Sequence, residues 1–328
     1  MITMESWMFN TSFEKFRKQY LQTRTIYSLI HMPYLGKGGT SMGISFGTVA
    51  FVTHKNVSEN YFGFYNGIRY FETNNDGIPY NFPVKNEKMN CISQNKLSIF
   101  PGWTISYWAN NNILSVVKNK KTISEGYGDA RQGLKTSNNE RFLRRWYEID
   151  YSKIGFNCKN GKEALKSGGK WFPYNKGGKY RKWYGNDEYV IDWSDDGNSI
   201  KQAVCERYPY LKGNYSFVVK NESKYFLEQI TWTTLTSGKL SFRYKPFGYL
   251  FDGTGSSIFN TDSEMLIYLL GLLNSTTGEY LIGLLGQTMS YEVGMIGKVP
   301  VIYETSNVSD EVKNCIEICK REWDSHEI

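Results

Sequence analysis

The chain of 328 residues is long enough for two domains, or one large one, with a sizeable core. Hydrophobic residues at 40% exclude a disordered chain, and the longest apolar run, Met265–Leu273, is too short to span a bilayer. A formal charge of +7 permits a polyanionic partner without demanding one, and aromatics at 16%, mostly Tyr and Phe, favour strands.

The five cysteines (Cys91, Cys158, Cys205, Cys315, Cys319) include no CxxC pair, and His31, His54 and His326 are far apart. A structural zinc site is not expected, and a reducing, cytoplasmic compartment is the simpler reading. No basic segment precedes an apolar core, so no secretory signal is expected.

Met1–Met4 is apolar from its first residue and reads as a strand that has lost what came before it. Thr11 with Glu14 reads as a capping box, opening a helix whose apolar stripe is Phe13, Phe16, Tyr20 and Leu21. Ile26–Met32 and Thr48–Thr53 read as buried strands on either side of a glycine-rich turn, Gly36–Gly47, an order that belongs in an α/β sheet. Tyr61–Glu72 is expected to be a hairpin turning at Asn66-Gly67. The polar run Asn74–Gln94 reads as a linker ending near Phe100-Pro101-Gly102.

A second domain is expected from Trp103, with a strand at Thr104–Ala109 and a helix over Ala130–Arg145. The stretch Lys166–Trp193 organises this half. It interleaves Lys166, Lys170, Lys176, Lys179, Arg181 and Lys182 with Trp171, Phe172, Tyr174, Tyr180, Trp183 and Tyr184, and carries two Gly-Gly pairs. Cations between flat rings suit a polyanion with base faces, which describes nucleic acid; a solvated glycine-rich hairpin with packed rings is the bland alternative. Asp192, Asp195 and Asp196 read as a solvated acidic face. Gln229–Tyr244 is a second expected hairpin, turning at Ser237-Gly238 with Lys239 and Arg243 on one side. Glu264–Leu273 and Gly278–Gly286 read as apolar core, and Ser309 as the cap of a last helix with the stripe Val312, Ile316, Cys319 and Trp323.

No GxxxxGK[ST], HExxH, GxSxG or DxDxDG occurs, and Asp252-Gly253-Thr254-Gly255 lacks the third glycine and the helix of a dinucleotide fingerprint. The residues alone describe a β-rich, polyanion-friendly domain behind a partial α/β sheet, with no assembled active site.

Several stretches resemble the adenine-specific DNA methyltransferases of phage-exclusion (BREX, PglX-like) defence systems, which stand with the Eco57I-like and TaqI-like amino-methyltransferases. They are MITMESWMFNTSFEKFR (1–17), GISFGTVAFVTHK (43–55), RQGLKTSNNERFLRRWYEID (131–150) and KWFPYNKGGKYRKWYGNDEYVIDW (170–193). ITWTTLTSGKLSFRY (230–244), LLGLLNS (269–275) and YEVGMIGKVPV (291–301) complete the set, so the resemblance covers nearly the whole chain.

In that family a Rossmann-like sheet binds S-adenosylmethionine through a glycine-rich motif, and an Asn-Pro-Pro-Tyr motif holds the flipped adenine. A strand, a helix, a closing hairpin and a target-recognition domain follow. Here the eight prolines are all single and the cofactor motif is missing. The resemblance therefore implies the C-terminal part of such an enzyme, of α+β class: a C-terminal portion of the methyltransferase sheet (residues 1–75), a linker (76–100), a β-rich DNA target-recognition domain (101–303) and a helical tail (304–328). S-adenosylmethionine would serve the full-length family and none would be bound by this chain alone. Double-stranded DNA is the implied partner, together with an N-terminal methyltransferase half and other defence-system proteins, and no membrane.

The resemblance offers Phe46 as the ring that stacks on the flipped adenine, with a packed loop ring as the alternative. Lys176, Lys179, Arg181 and Lys182, with Tyr174 and Trp183, are the expected DNA contacts, and Arg181 suits bidentate guanine readout. Gln132, Asn138, Asn139 and Arg141 form a second patch, and Lys239 and Arg243 a third; each also suits a cap or turn. A non-catalytic specificity module and a degenerate fragment with an open sheet edge remain as alternatives, while the interleaved cations argue against a glycan-binding β domain.

Overall fold

The computed structural model describes residues 1–32, 46–236, 238–286, 289–303 and 308–326. They form two compact units, one from Met1–Ile123 with Gly278–Tyr303, the other from Ser124–Thr277 with Glu304–Ile328. Among the described residues no helix is long and apolar enough to cross a membrane.

The first unit is built on a five-stranded sheet of order β1-β3-β2-β4-β5, from β1 (Ile2–Met4), β2 (Thr25–Met32), β3 (Thr48–His54), β4 (Phe62–Gly67) and β5 (Met89–Ser93). β3 runs antiparallel to both β1 and β2, β4 is parallel to β2, and β5 is antiparallel to β4. Helices α1 (Ser6–Phe9) and α2 (Glu14–Thr23) connect β1 to β2. Val, Ile and aromatic residues supply the strands, as side chains that fit a half-buried pleat. Trp7, Met8, Ile26, Leu29, Val49 and Tyr65 lie in the shared core.

Long-range bonds overrule several local expectations. Thr11 makes no capping bond, α2 begins at Glu14, and Phe13 and Phe16 are exposed while Leu21 is buried. The buried position on that face belongs to Arg17, which donates to the carbonyls of Trp7, Asn10 and Gly102. The Tyr61–Glu72 hairpin does not form. Asn66 is 0% exposed within β4, donates to Val84 O at 2.8 Å and accepts from Val84 N at 3.0 Å. That clamp satisfies a buried amide which a turn would have left in water. β5 falls inside the expected linker, and Thr104–Ala109 is irregular, although Ile105 and Tyr107 are buried.

The second unit holds two four-stranded sheets. Its strands are β6 (Asp129–Arg131), β7 (Leu143–Arg145), β8 (Trp171–Asn175), β9 (Tyr189–Asp192), β10 (Gln229–Trp232), β11 (Phe242–Lys245), β12 (Leu250–Phe251) and β13 (Ser257–Phe259). One sheet runs β11-β10-β13-β6, antiparallel throughout; the other runs β12-β8-β9-β7, parallel only between β12 and β8. The Gln229–Tyr244 hairpin forms, with Trp232 opposite Phe242; Ser237 lies outside the described residues.

Four helices matter here: α3 (Asn139–Phe142), α4 (Ser194–Arg207), α5 (Ser263–Asn274) and α6 (Val308–His326). The expected helix over Ala130–Arg145 is instead β6, the single turn α3 and β7. Asp195 and Asp196 open α4 with left-handed backbone, and Asp196 pairs with Lys201. The apolar reading of α5 holds, and Asp262 caps it by accepting from the amides of Glu264 and Met265. α6 includes Val308, one residue ahead of the expected cap Ser309. Its stripe packs on α5: Val312 lies where a side chain at Gly271 would begin, and Lys313 pairs with Glu264.

Candidate nucleic-acid interface

The run of rings and cations splits as soon as it folds. β8 is buried along its whole length, so Trp171, Phe172 and Tyr174 face core. Tyr174 is 1% exposed; its hydroxyl donates to Asp252 Oδ2 at 2.7 Å, and burial with the nearby carboxylate pushes the phenol well above its usual range. It therefore offers no face to a base. The chain after β8 leaves the core and carries Lys176 half-buried and Lys179 and Tyr180 exposed.

Four segments are stitched into one loop cluster around this exit. Thr254 donates to the carbonyl of Lys176 at 3.1 Å, and Thr233 donates to that of Gly178 at 2.9 Å. The Arg181 amide donates to Ser241 Oγ at 3.2 Å, and Trp183 exchanges main-chain bonds with Phe242 and Tyr244 at 2.9 and 2.8 Å. Gln132 Nε2 donates to Gly253 O at 3.4 Å. Residues 132–135, 176–183, 233–236, 238–241 and 252–255 thus share one end of the unit. Loop residues held in this way by a sheet scaffold are positioned for contact.

Lys135, Lys179 and Lys239 are exposed in this cluster. Lys176 leans toward Asp252 at 3.5 Å, and Lys220 donates to Gln132 Oε1 at 3.0 Å. Asp252 is buried under Tyr174 and Thr254. Lysine and glutamine side chains at this end give it a cationic, hydrogen-bonding character that suits phosphate. Local sequence does not single out Lys135 and Lys220, because only long-range pairing brings them here.

Arg243 is 0% exposed: it donates to Arg181 O, Ser241 Oγ and Thr233 Oγ1, each at 3.3 Å, and burial lowers its pKa to about 10. It braces the loops from inside and does not share a face with Lys239. Lys182 donates to Asn274 O at 2.6 Å, at the C-terminal end of α5 where a cation is favoured. Trp183 is half-buried, with left-handed backbone. Arg181 pairs with Glu322 at 2.5 Å and lies over the ring of Trp323 at 4.9 Å. Asn138 caps α3, Asn139 accepts from Thr136 at 2.6 Å, and the exposed Arg141 stacks on Phe142 at 4.9 Å.

In the first unit Phe46 is 44% exposed; most of the glycine-rich turn before it lies outside the described residues. Gly47 beside it accepts from the Glu5 amide at 2.9 Å, and a side chain at Gly47 would overlap the Glu5 carboxyl. His31, wholly buried, donates to that carboxyl at 2.6 Å.

S-adenosylmethionine requires a carboxylate for its ribose hydroxyls and a glycine-rich backbone for close approach. A cleft of about 460 Å³ in the second unit, lined by Tyr127, Asp129, Lys224, Glu228, Phe247 and Phe259, does not fit it. Its Asp129 is taken by Arg131 and Lys224, and its Glu228 by Tyr244 and Ser263. No methyl-transfer step follows from these residues.

The mixed α/β fold of several sheets is similar to that of a solved restriction-modification enzyme. The solved structure of the Type IIL restriction-modification enzyme MmeI in complex with DNA aligns with 96% of this chain and 40% of that one, at 12% identity and a TM-score of 0.51. In sequence the chain is similar over its entire length to adenine-specific methyltransferases. It is 32% identical over 335 residues to the adenine-specific methyltransferase PglX of Lacticaseibacillus casei (strain Zhang), covering 100% of this chain and 27% of that protein. It is 32% identical over 333 residues to the adenine-specific methyltransferase BrxX of Escherichia coli O9:H4 (strain HS), covering 99% of this chain and 25% of that protein. The chain spans about a quarter of the length of these relatives. No protein-family model matches it.

Proposed function

We propose that this chain is the DNA-recognition portion of a BREX-type adenine-N6 DNA methyltransferase, joined to the closing strands of the catalytic sheet. The observation that carries the reading is the loop cluster of the second unit, where bonds among four separate segments gather Lys135, Lys179 and Lys239 at one end. The 32% identity to PglX and BrxX supports the enzyme class.

The first unit supports the catalytic connection. β1, the helices after it and the β2–β3 hairpin follow the order of strand, helix and closing hairpin that the resemblance implies. Ile2 and Met4 are exposed on β1, which among the described residues pairs only with β3. The other edge of β1 would meet the cofactor-binding strands, and those strands would supply S-adenosylmethionine and the adenine pocket. In this reading Phe46 stacks on the flipped base, the loop cluster of the second unit tracks the duplex, and the chain recognises DNA without itself binding the methyl donor.

The test is binding of the purified chain to a fluorescently labelled mixed-sequence duplex, compared with a variant in which Lys135, Lys179 and Lys239 are all alanine. Tenfold or greater weakening in the triple variant is the expected outcome, on the order of the loss that several phosphate contacts produce. Equal affinity would remove the loop cluster as the interface.

A further inference from the structure

The last helix holds the one arginine of the basic run best suited to reading a base. Three contacts meet at Arg181. Its Nη1 donates to Glu322 Oε2 at 2.5 Å, its guanidinium lies 4.9 Å from the ring centre of Trp323, and its main chain is fixed by Ser241 and by the buried Arg243. Gly185 allows the approach, since a side chain there would come within 2.8 Å of the Trp323 ring and 2.5 Å of the Arg181 stem. α6 is itself anchored on α5 by Val312 and Lys313, so Glu322 and Trp323 belong to the body of the second unit.

We propose that Glu322 and Trp323 are positioning residues for base readout by Arg181. A guanidinium presents five donors in a fixed planar fork. Glu322 occupies Nη1, which leaves the Nε–Nη2 edge as a two-donor fork of the kind that meets guanine O6 and N7. Stacking on an indole fixes the plane of that fork while keeping its charge. An arginine so constrained loses less side-chain freedom on meeting a base than a free one, so the gain falls on the matched sequence and not on phosphate. The inference rests on the DNA-recognition reading above.

Preferred duplexes are selected with the intact chain from a random-sequence pool. Affinity for the selected duplex and for a scrambled one is then measured at two salt concentrations. Arg181→Ala, Glu322→Ala and Trp323→Ala should each reduce the preference about tenfold, the scale of one bidentate base contact, with scrambled-duplex affinity and salt slope little changed. Glu322→Gln keeps an acceptor without the charge, Trp323→Phe keeps a ring, and both should retain most of the preference. If Arg181→Ala lowers the preference while the alanine variants of Glu322 and Trp323 do not, the positioning role is overturned and the recognition reading survives. Tighter binding of every duplex by Glu322→Ala and Glu322→Gln alike would make α6 a cover over Arg181 and overturn the proposal. An unchanged preference in Arg181→Ala would remove both the assignment of Arg181 and the inference built on it.

Discussion

His31 and Glu5 form a hydrogen-bonded pair inside the first unit, Nε2 to Oε2 at 2.6 Å, and both side chains are buried. Tyr107 donates to the other ring nitrogen at 3.4 Å, and the rings of Phe9 and Trp108 pack around it. Burial lowers the pKa of His31 more than Glu5 raises it, and the nearby Lys88 lowers it further. The imidazole is therefore neutral in the fold and donates Nε2–H to the carboxylate.

A histidine whose folded pKa is depressed takes up its proton on unfolding, so its contribution is complete above about pH 6.5 and is lost as pH falls below that value. Unfolding by urea at pH 7.5 and pH 5.5 should show lower stability at pH 5.5, and His31→Gln should flatten the difference. An unchanged pH dependence in the variant would place the titrating group elsewhere.

Two glycines separate close packing from open space. Gly47→Ala forces a methyl into the Glu5 carboxyl, with an expected loss of about 1–3 kcal/mol. Gly283, in the helix Thr276–Leu285, has nothing within 4 Å of an added methyl. Gly283→Ala should therefore gain roughly 0.5–1 kcal/mol from the lower entropy of the unfolded chain. Thermal melts of both variants check the pair, and equal effects would contradict the packing described at Gly47.

Tyr174→Phe removes the donor at 2.7 Å from Asp252 without opening a cavity. Asp252 keeps the amide and hydroxyl of Thr254, each at 2.7 Å. The expected cost is about 1–3 kcal/mol, the scale of a buried acceptor losing one partner. DNA affinity should change little, since the ring lies in the core. A large fall in affinity at unchanged stability would return Tyr174 to the interface.

Lys179, Lys239 and Arg243 separate contact from scaffold. Lys179→Ala and Lys239→Ala should leave stability within about 0.5 kcal/mol and each reduce the salt slope of DNA binding by about 1. Arg243→Ala strips three buried hydrogen bonds from two loops and should cost on the order of 3 kcal/mol. Parallel salt titrations and denaturant curves distinguish the two kinds of residue.

What the sequence makes legible is local. β2 and β3 announce themselves as apolar runs, the β10–β11 hairpin by its composition, and α6 by a stripe that the fold buries at Val312 and Ile316. Asn66-Gly67 misleads because a buried clamp to Val84, eighteen residues away, holds Asn66 in a strand. The aromatic and basic run reads as one surface, yet β8, paired by β12 and β9 and buried along its whole length, takes Tyr174 into the core, while the next loop leaves Lys179 exposed. Arg17 and Arg243 are invisible as buried residues because their acceptors are main-chain carbonyls and hydroxyls from other segments. Composition reports that cations and rings are present; only the long-range pairing decides which of them face water.

In the proposed reading the second unit binds duplex DNA by its loop cluster while the methyl donor site lies elsewhere. A salt titration of duplex binding, run with and without S-adenosylmethionine, tests it most directly. Affinity should fall steeply with salt, as phosphate contacts require, and should be indifferent to the donor. Binding that ignores salt, or that strengthens when the donor is added, would contradict it.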